Sequence, residues 1–274
     1  MNTLLKCLVA GTITIASLLI LGGAWMLVEH GLEPTDDDTI VTKEYLFNGD
    51  RIVLDIRQGD IDGFPQGQIR FLAPEMTSNS YITPDDPTLN RLWEIIGPHL
   101  KNMIELEKAN TLLEFVQKNI HYETDYYAFD LSEYVKFPAE TLYEREGDCE
   151  DMAYLLYSLY EMANLDAVIV HSQDHVSVGV NVDLTEGYYV VRALTGIRYY
   201  IAESTGNVPV GEHEIIGDYA WAFKPAPYFG YLMVGAGVII GLLAVNLAHD
   251  IEVTEKAKRS STKKKEVIGD AEGM

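Results

Sequence analysis

Cysteine is almost missing from this chain. Cys7 and Cys149 are the only two in 274 residues, so no disulfide can form inside a segment that holds just one of them. There is no Cys-x-x-Cys pair, no His-Glu-x-x-His and no glycine-rich phosphate loop, which removes the common zinc and nucleotide signatures. His171 and His175 stand four apart, but on a strand-like segment that spacing builds no zinc face. The expectation is therefore no metal and no cofactor. Basic residues are also few, 20 against 42 acidic, for a formal net charge of −22. Nucleic acid is an unfavourable partner for such a surface, because its phosphates would meet like charge.

Charge is absent from two whole stretches. Cys7 to Val28 and Tyr228 to Ala248 carry no Asp, Glu, Lys or Arg, and each has about the 20 apolar residues that a bilayer crossing needs. A cleaved signal peptide is the alternative for the first, but its apolar core is long for one and is followed by no convincing small-x-small cleavage site. The second is followed by Lys256, Lys258, Arg259, Lys263, Lys264 and Lys265. The positive-inside rule makes that tail cytoplasmic. With two spans the N-terminus is cytoplasmic too, and residues 29–226 lie outside the cell membrane. This outer part is strongly acidic, which reads as a solvated surface or as an attraction for cationic peptides and surface polymers. Gly237 and Gly241 form a small-xxx-small motif through which the second span could pair two copies.

The most informative segment is Gly147-Asp148-Cys149-Glu150-Asp151. It places the one cysteine of the outer part at the start of an amphipathic helix, with Asp148 as N-cap and Asp151 completing a capping-box-like pattern. The helix end favours a thiolate, while Glu146, Asp148, Glu150 and Asp151 oppose one. A histidine partner would settle the contest. His175 opens the run His175 to Val182, where valines alternate strictly with His, Ser, Gly and Asn; this predicts a half-buried strand with its valine face in the core. Tyr188 to Ala193 and Arg198 to Ala202 read as strands around a Thr195-Gly196 turn, and Glu203 ends the second. Nucleophile, base and orienting carboxylate thus follow in order as Cys149, His175 and Glu203.

Four motifs carry a family resemblance: Phe137-Pro138-Ala139-Glu140-Thr141-Leu142, Gly147 to Asp151, His175 to Val180, and Tyr199 to Thr205. With Phe115 to Tyr122 upstream, residues 85–206 resemble the transglutaminase-like cysteine protease superfamily, most closely its microbial branch. The resemblance implies a transglutaminase/papain-like domain. It maps the family's catalytic cysteine to Cys149, its histidine to His175 and its acid to Glu203. The third position departs from the common Asp-Pro-Thr, being Glu203-Ser204-Thr205. It also implies an oxyanion hole made by the cysteine N–H and a side-chain donor, for which Gln117 and Tyr122 are candidates.

The remaining pattern completes an α+β reading, helices first and an antiparallel sheet after. Ile40 to Phe47, Arg51 to Ile56 and Gln68 to Leu72 read as short strands of a small β element. A helix starts at Pro84–Pro87 and should break or bend at Gly97-Pro98; another runs from Leu106 to Ile120. Residues 121–146 form a tyrosine-rich connection suited to lining a cleft. Leu155, Leu156, Leu159 and Met162 give the cysteine helix its apolar stripe, and 207–226 return irregularly to the membrane. The domains are then an anchor (1–28), a linker with the β element (29–84), the transglutaminase-like domain (85–226), a second span (227–248) and a basic tail (249–274). The expected function is a membrane-anchored peptidase or amidase acting on extracytoplasmic peptide or amide substrates. The alternatives are an acyl transferase, and a catalytically inactive binding or accessory module.

Overall fold

The computed structural model describes residues 14, 15, 17, 37–64, 81–124, 134–173, 175–192, 195–215, 220–225 and 238–240. The chain divides into two units, Leu32–Pro227 and a second made of Met1–Gly31 with Tyr228–Met274. Both expected spans lie almost wholly outside the described residues. Within them Thr14, Ile15, Ser17, Val238, Ile239 and Ile240 are helical. Among the described residues no helix is long and apolar enough to cross a membrane. The expected strand at 68–72, Gly237, Gly241 and the basic tail also lie outside them.

In the Leu32–Pro227 unit, β1 (Ile40–Phe47) and β2 (Asp50–Arg57) form an antiparallel hairpin. Asn48 and Gly49 turn it with φ of 51° and 84°, the left-handed pair that a two-residue hairpin requires. Its inner face, Tyr45, Phe47, Leu54 and Ile56, is buried. A short helix α1 (Gln58–Asp62) follows, then α2 (Pro87–Leu100) and α3 (Glu105–Asn119). Asp86 caps α2 by accepting from Thr88 N at 2.7 Å and Leu89 N at 3.2 Å. The expected break at Gly97-Pro98 does not occur: α2 runs through to Leu100. Pro98 falls in the last turn, so its missing N–H removes one i to i−4 hydrogen bond close to the helix end, and the Trp93 ring occupies the space a Cβ on Gly97 would need, 2.9 Å away.

The described part of the tyrosine-rich connection is not all loop. It contains β3 (His121–Tyr122), α4 (Pro138–Glu144) and β4 (Glu146–Gly147). Tyr126 and Tyr127 lie outside the described residues. Next comes the cysteine helix α5 (Cys149–Met162), buried continuously from Glu150 to Tyr160 rather than along one stripe. Helices α3 and α4 and strands β5 and β6 all pack against it.

That sheet has five antiparallel strands: β5 (Ala167–Ser172), β6 (His175–Val180), β7 (Tyr189–Val191), β8 (Arg198–Ala202) and β9 (Ala220–Phe223). The spatial order is β7-β8-β6-β5-β9, and the two edge strands approach each other, so the sheet curls. Residues 207–226 are therefore not an irregular return throughout, since 220–223 supply an edge strand. The half-buried reading of β6 also fails: Ser177 is 5% exposed and Val178 is fully buried. Valines 176, 178 and 180 join the core under the helices. The other face is covered by the curl, where Val168, Val170, Val190, Tyr199 and Ile201 form a second apolar cluster.

Candidate active site

Cys149 is the first residue of α5, delivered by β4. β4 pairs in parallel with β3, which sets Tyr122 beside Gly147. Gly147 is needed there because a Cβ would lie 2.7 Å from the Asp151 Cβ. The expected capping box is absent. Asp148 makes no side-chain cap bond. The Asp151 carboxylate turns instead to Lys136, accepting its backbone N–H at 2.7 Å. Lys136 is a residue the sequence reading missed. Its ammonium, 2% exposed, lies 3.0 Å from Glu144 and 3.9 Å from Asp151, and donates to the Glu146 carbonyl at 3.1 Å. A buried cation so surrounded ties the segment before α4 to the start of the cysteine helix. Only its full set of partners makes it visible; a lone lysine has no pattern in sequence.

The thiol lies between opposing influences. Burial pushes its pKa up, and so do the charges of Glu150 and Asp148 and its own hydrogen bond to Glu150; the Val176 backbone N–H, bonded to the sulfur, pulls it down. The upward causes win, and the thiol donates to Glu150 Oε2 at 3.1 Å. Among the described residues, Asp148, Cys149 and Glu150 are also the donors near enough to share an ion, their ligand atoms all within 4.8 Å.

His175 and Glu203 meet directly, Nε2 to Oε2 at 2.8 Å, with side chains 12% and 2% exposed. Burial pushes the Glu203 carboxyl up, but His175 and two donations from Thr205 outweigh it and hold it below its usual range. Those donations come from the Thr205 N–H at 3.0 Å and hydroxyl at 2.7 Å. An ionised carboxylate only accepts, so His175 Nε2 carries the hydrogen in this contact; in the neutral ring Nδ1 then holds the lone pair. Cys149 reaches the same strand one residue further on, through Val176. The structure thus brings His175 and Glu203 into contact and sets the cysteine sulfur against the neighbouring backbone.

Gln117 is no oxyanion donor. Its amide donates to the carbonyls of Glu203 at 2.8 Å and Val208 at 3.0 Å, which uses both of its N–H groups. It straps α3 to the turn that carries the acid. Tyr122 differs: its ring is 46% exposed. Burial and then the charges of Cys149, Asp148, Glu150 and Glu203 raise its pKa, so the phenol stays a donor and lies within electrical reach of all four.

Residues 93–205 match the family profile described as Transglutaminase-like domain. The matched stretch takes in Cys149, His175 and Glu203. No curated protein matches the sequence. Among solved structures, a candidate cysteine protease from Cytophaga hutchinsonii is 12% identical with a TM-score of 0.33, covering 68% of this chain and 73% of that one. A candidate protease from Parabacteroides distasonis is 15% identical with a TM-score of 0.30, covering 64% of this chain and 41% of that one.

Proposed function

We propose that this protein is a thiol hydrolase of peptide or amide bonds, with Cys149 as nucleophile, His175 as general base and Glu203 as its orienting carboxylate. The observation that carries this is the 2.8 Å His175–Glu203 pair beside a sulfur bonded to the next residue's N–H. Because the thiol rests protonated, attack is coupled to proton loss: the S–H proton passes to His175 Nδ1 as sulfur bonds to the carbonyl carbon. The helix-start N–H groups and the Tyr122 hydroxyl receive the oxyanion. Collapse breaks the C–N bond, His175 returns its proton to the leaving amine, and water then cleaves the thioester.

Membrane attachment is part of the same proposal. It is supported by the two uncharged stretches and by the basic tail after the second, with the acidic domain outside the cell membrane.

The test is the rate of Cys149 alkylation by iodoacetamide against pH, for the full chain and for His175→Ala and Glu203→Ala. Because the imidazole takes the S–H proton during attack, labelling at neutral pH that slows most in His175→Ala is expected. Identical profiles rising only at alkaline pH would overturn the enzyme reading. The thiol's bond to Glu150 favours a second reading, a binding module that keeps the fold without the chemistry; that result would support it.

A further inference from the structure

On β9, away from the candidate triad, lies an aromatic shelf. Trp221 stacks on His171 with ring centroids 4.7 Å apart and an interplanar angle of 12°, and Phe223 stacks on Trp221 at 5.4 Å. His171 is buried, whereas Trp221 keeps 41% of its surface exposed. Half of a large aromatic surface is thus fixed by its neighbours while the rest faces water.

The sheet register connects this shelf to the thiol. His171 pairs with Val176 on one side and with Trp221 on the other. Directly paired residues point to the same face. Val176 belongs to the core under the helices, against which Cys149 also packs, so the row Val176–His171–Trp221 lies on the thiol's face. Neighbouring strands are about 4.8 Å apart, which puts Trp221 roughly 10 Å from Val176. An extended peptide advances about 3.3 Å per residue and covers that distance in about three residues.

We propose that Trp221, backed by His171 and Phe223, is a subsite for an aromatic side chain of the substrate peptide, about three residues from the attacked carbonyl. The occupant is the substrate itself, because the shelf stands on an edge strand only two places from β6, which carries His175 and bonds the sulfur. A ring held flat by two others gains stacking contact with a planar side chain without first having to be ordered. This rests on the hydrolase reading, yet it concerns binding and can be measured without turnover.

The experiment uses the full chain carrying Cys149→Ala, so that peptides bind without being consumed. Peptides with a single Phe moved through positions two to four on either side of a central Gln are titrated against Ser-substituted controls. The Phe peptide of matching register is expected to bind roughly tenfold tighter than its Ser control. Trp221→Ala should remove that preference and Trp221→Phe should restore most of it. Equal affinity for Phe and Ser peptides at every position would overturn the subsite, as would a preference that survives Trp221→Ala. Saturable binding of Phe and Ser peptides alike, or of detergent alone at the tryptophan, would likewise count against it. Turnover by the unsubstituted chain is read separately: peptide cleavage without Phe preference leaves the hydrolase standing and removes only the shelf. Phe-selective binding without cleavage does the reverse.

Discussion

The Cys149 thiol donates a hydrogen bond to Glu150 across 3.1 Å while the Val176 N–H approaches the sulfur as a donor. Two anions and a desolvated site oppose ionisation, and one backbone dipole favours it. Glu150 is 4% exposed, so water screens its charge poorly. Glu150→Gln keeps the shape, removes the charge and weakens the acceptor for the S–H proton. Ionisation then becomes easier, and alkylation at pH 7 should rise roughly tenfold, equivalent to about one pKa unit. Unchanged labelling would mean that burial alone holds the proton. His175 and Glu203 are legible as a candidate pair because each ends or begins a strand in a recognisable run. Gln117 is not, because its role depends on two carbonyls 86 and 91 residues further along, and no local periodicity encodes that distance.

At the scale of elements, α2 carries the clearest acid–base consequence. Asp86 caps its start but is 3% exposed, and burial pushes its pKa up to about 6 against the pull of the Leu89 and Thr88 N–H groups, with Asp60 adding to the rise. A carboxyl whose folded pKa exceeds its unfolded value supports the fold fully below the unfolded pKa and loses that support as pH rises to the folded one. The window here runs from about pH 4 to about pH 6. Asp86→Asn retains an oxygen acceptor and cannot ionise. Its stability relative to the parent should climb across that window and level off on the order of 2–3 kcal/mol above it. Denaturant midpoints at pH 4, 5, 6 and 7 measure this, and a difference that does not change with pH would refute it. The same helix shows where local reading overreaches: Gly97-Pro98 promises a break or a bend, yet the helix continues to Leu100, with Pro98 in its final turn. Likewise the alternating valines of β6 announce one core face, yet they cannot announce that β9, more than forty residues later, helps curl the sheet over the other.

For the whole molecule, charge and hydropathy argue for sidedness. Residues 28–226 hold 36 acidic and 13 basic groups, and the six basic residues of the C-terminal tail all follow the second uncharged stretch. In intact spheroplasts, protease should therefore digest the acidic domain and spare a C-terminal epitope tag until the membrane is permeabilised; the opposite pattern would invert the proposed topology. The strap from Gln117 to the Glu203 carbonyl spans 86 residues of chain. A ribosome adding about 5–20 residues per second needs roughly 4 to 17 seconds to cover that interval. In the later part of that time α3 and the cysteine helix exist without the acid, its anchor or the last strands of the sheet. A nascent chain therefore carries its thiol well before it carries the carboxylate that orients the base, and the delay is set by the order of the elements along the chain.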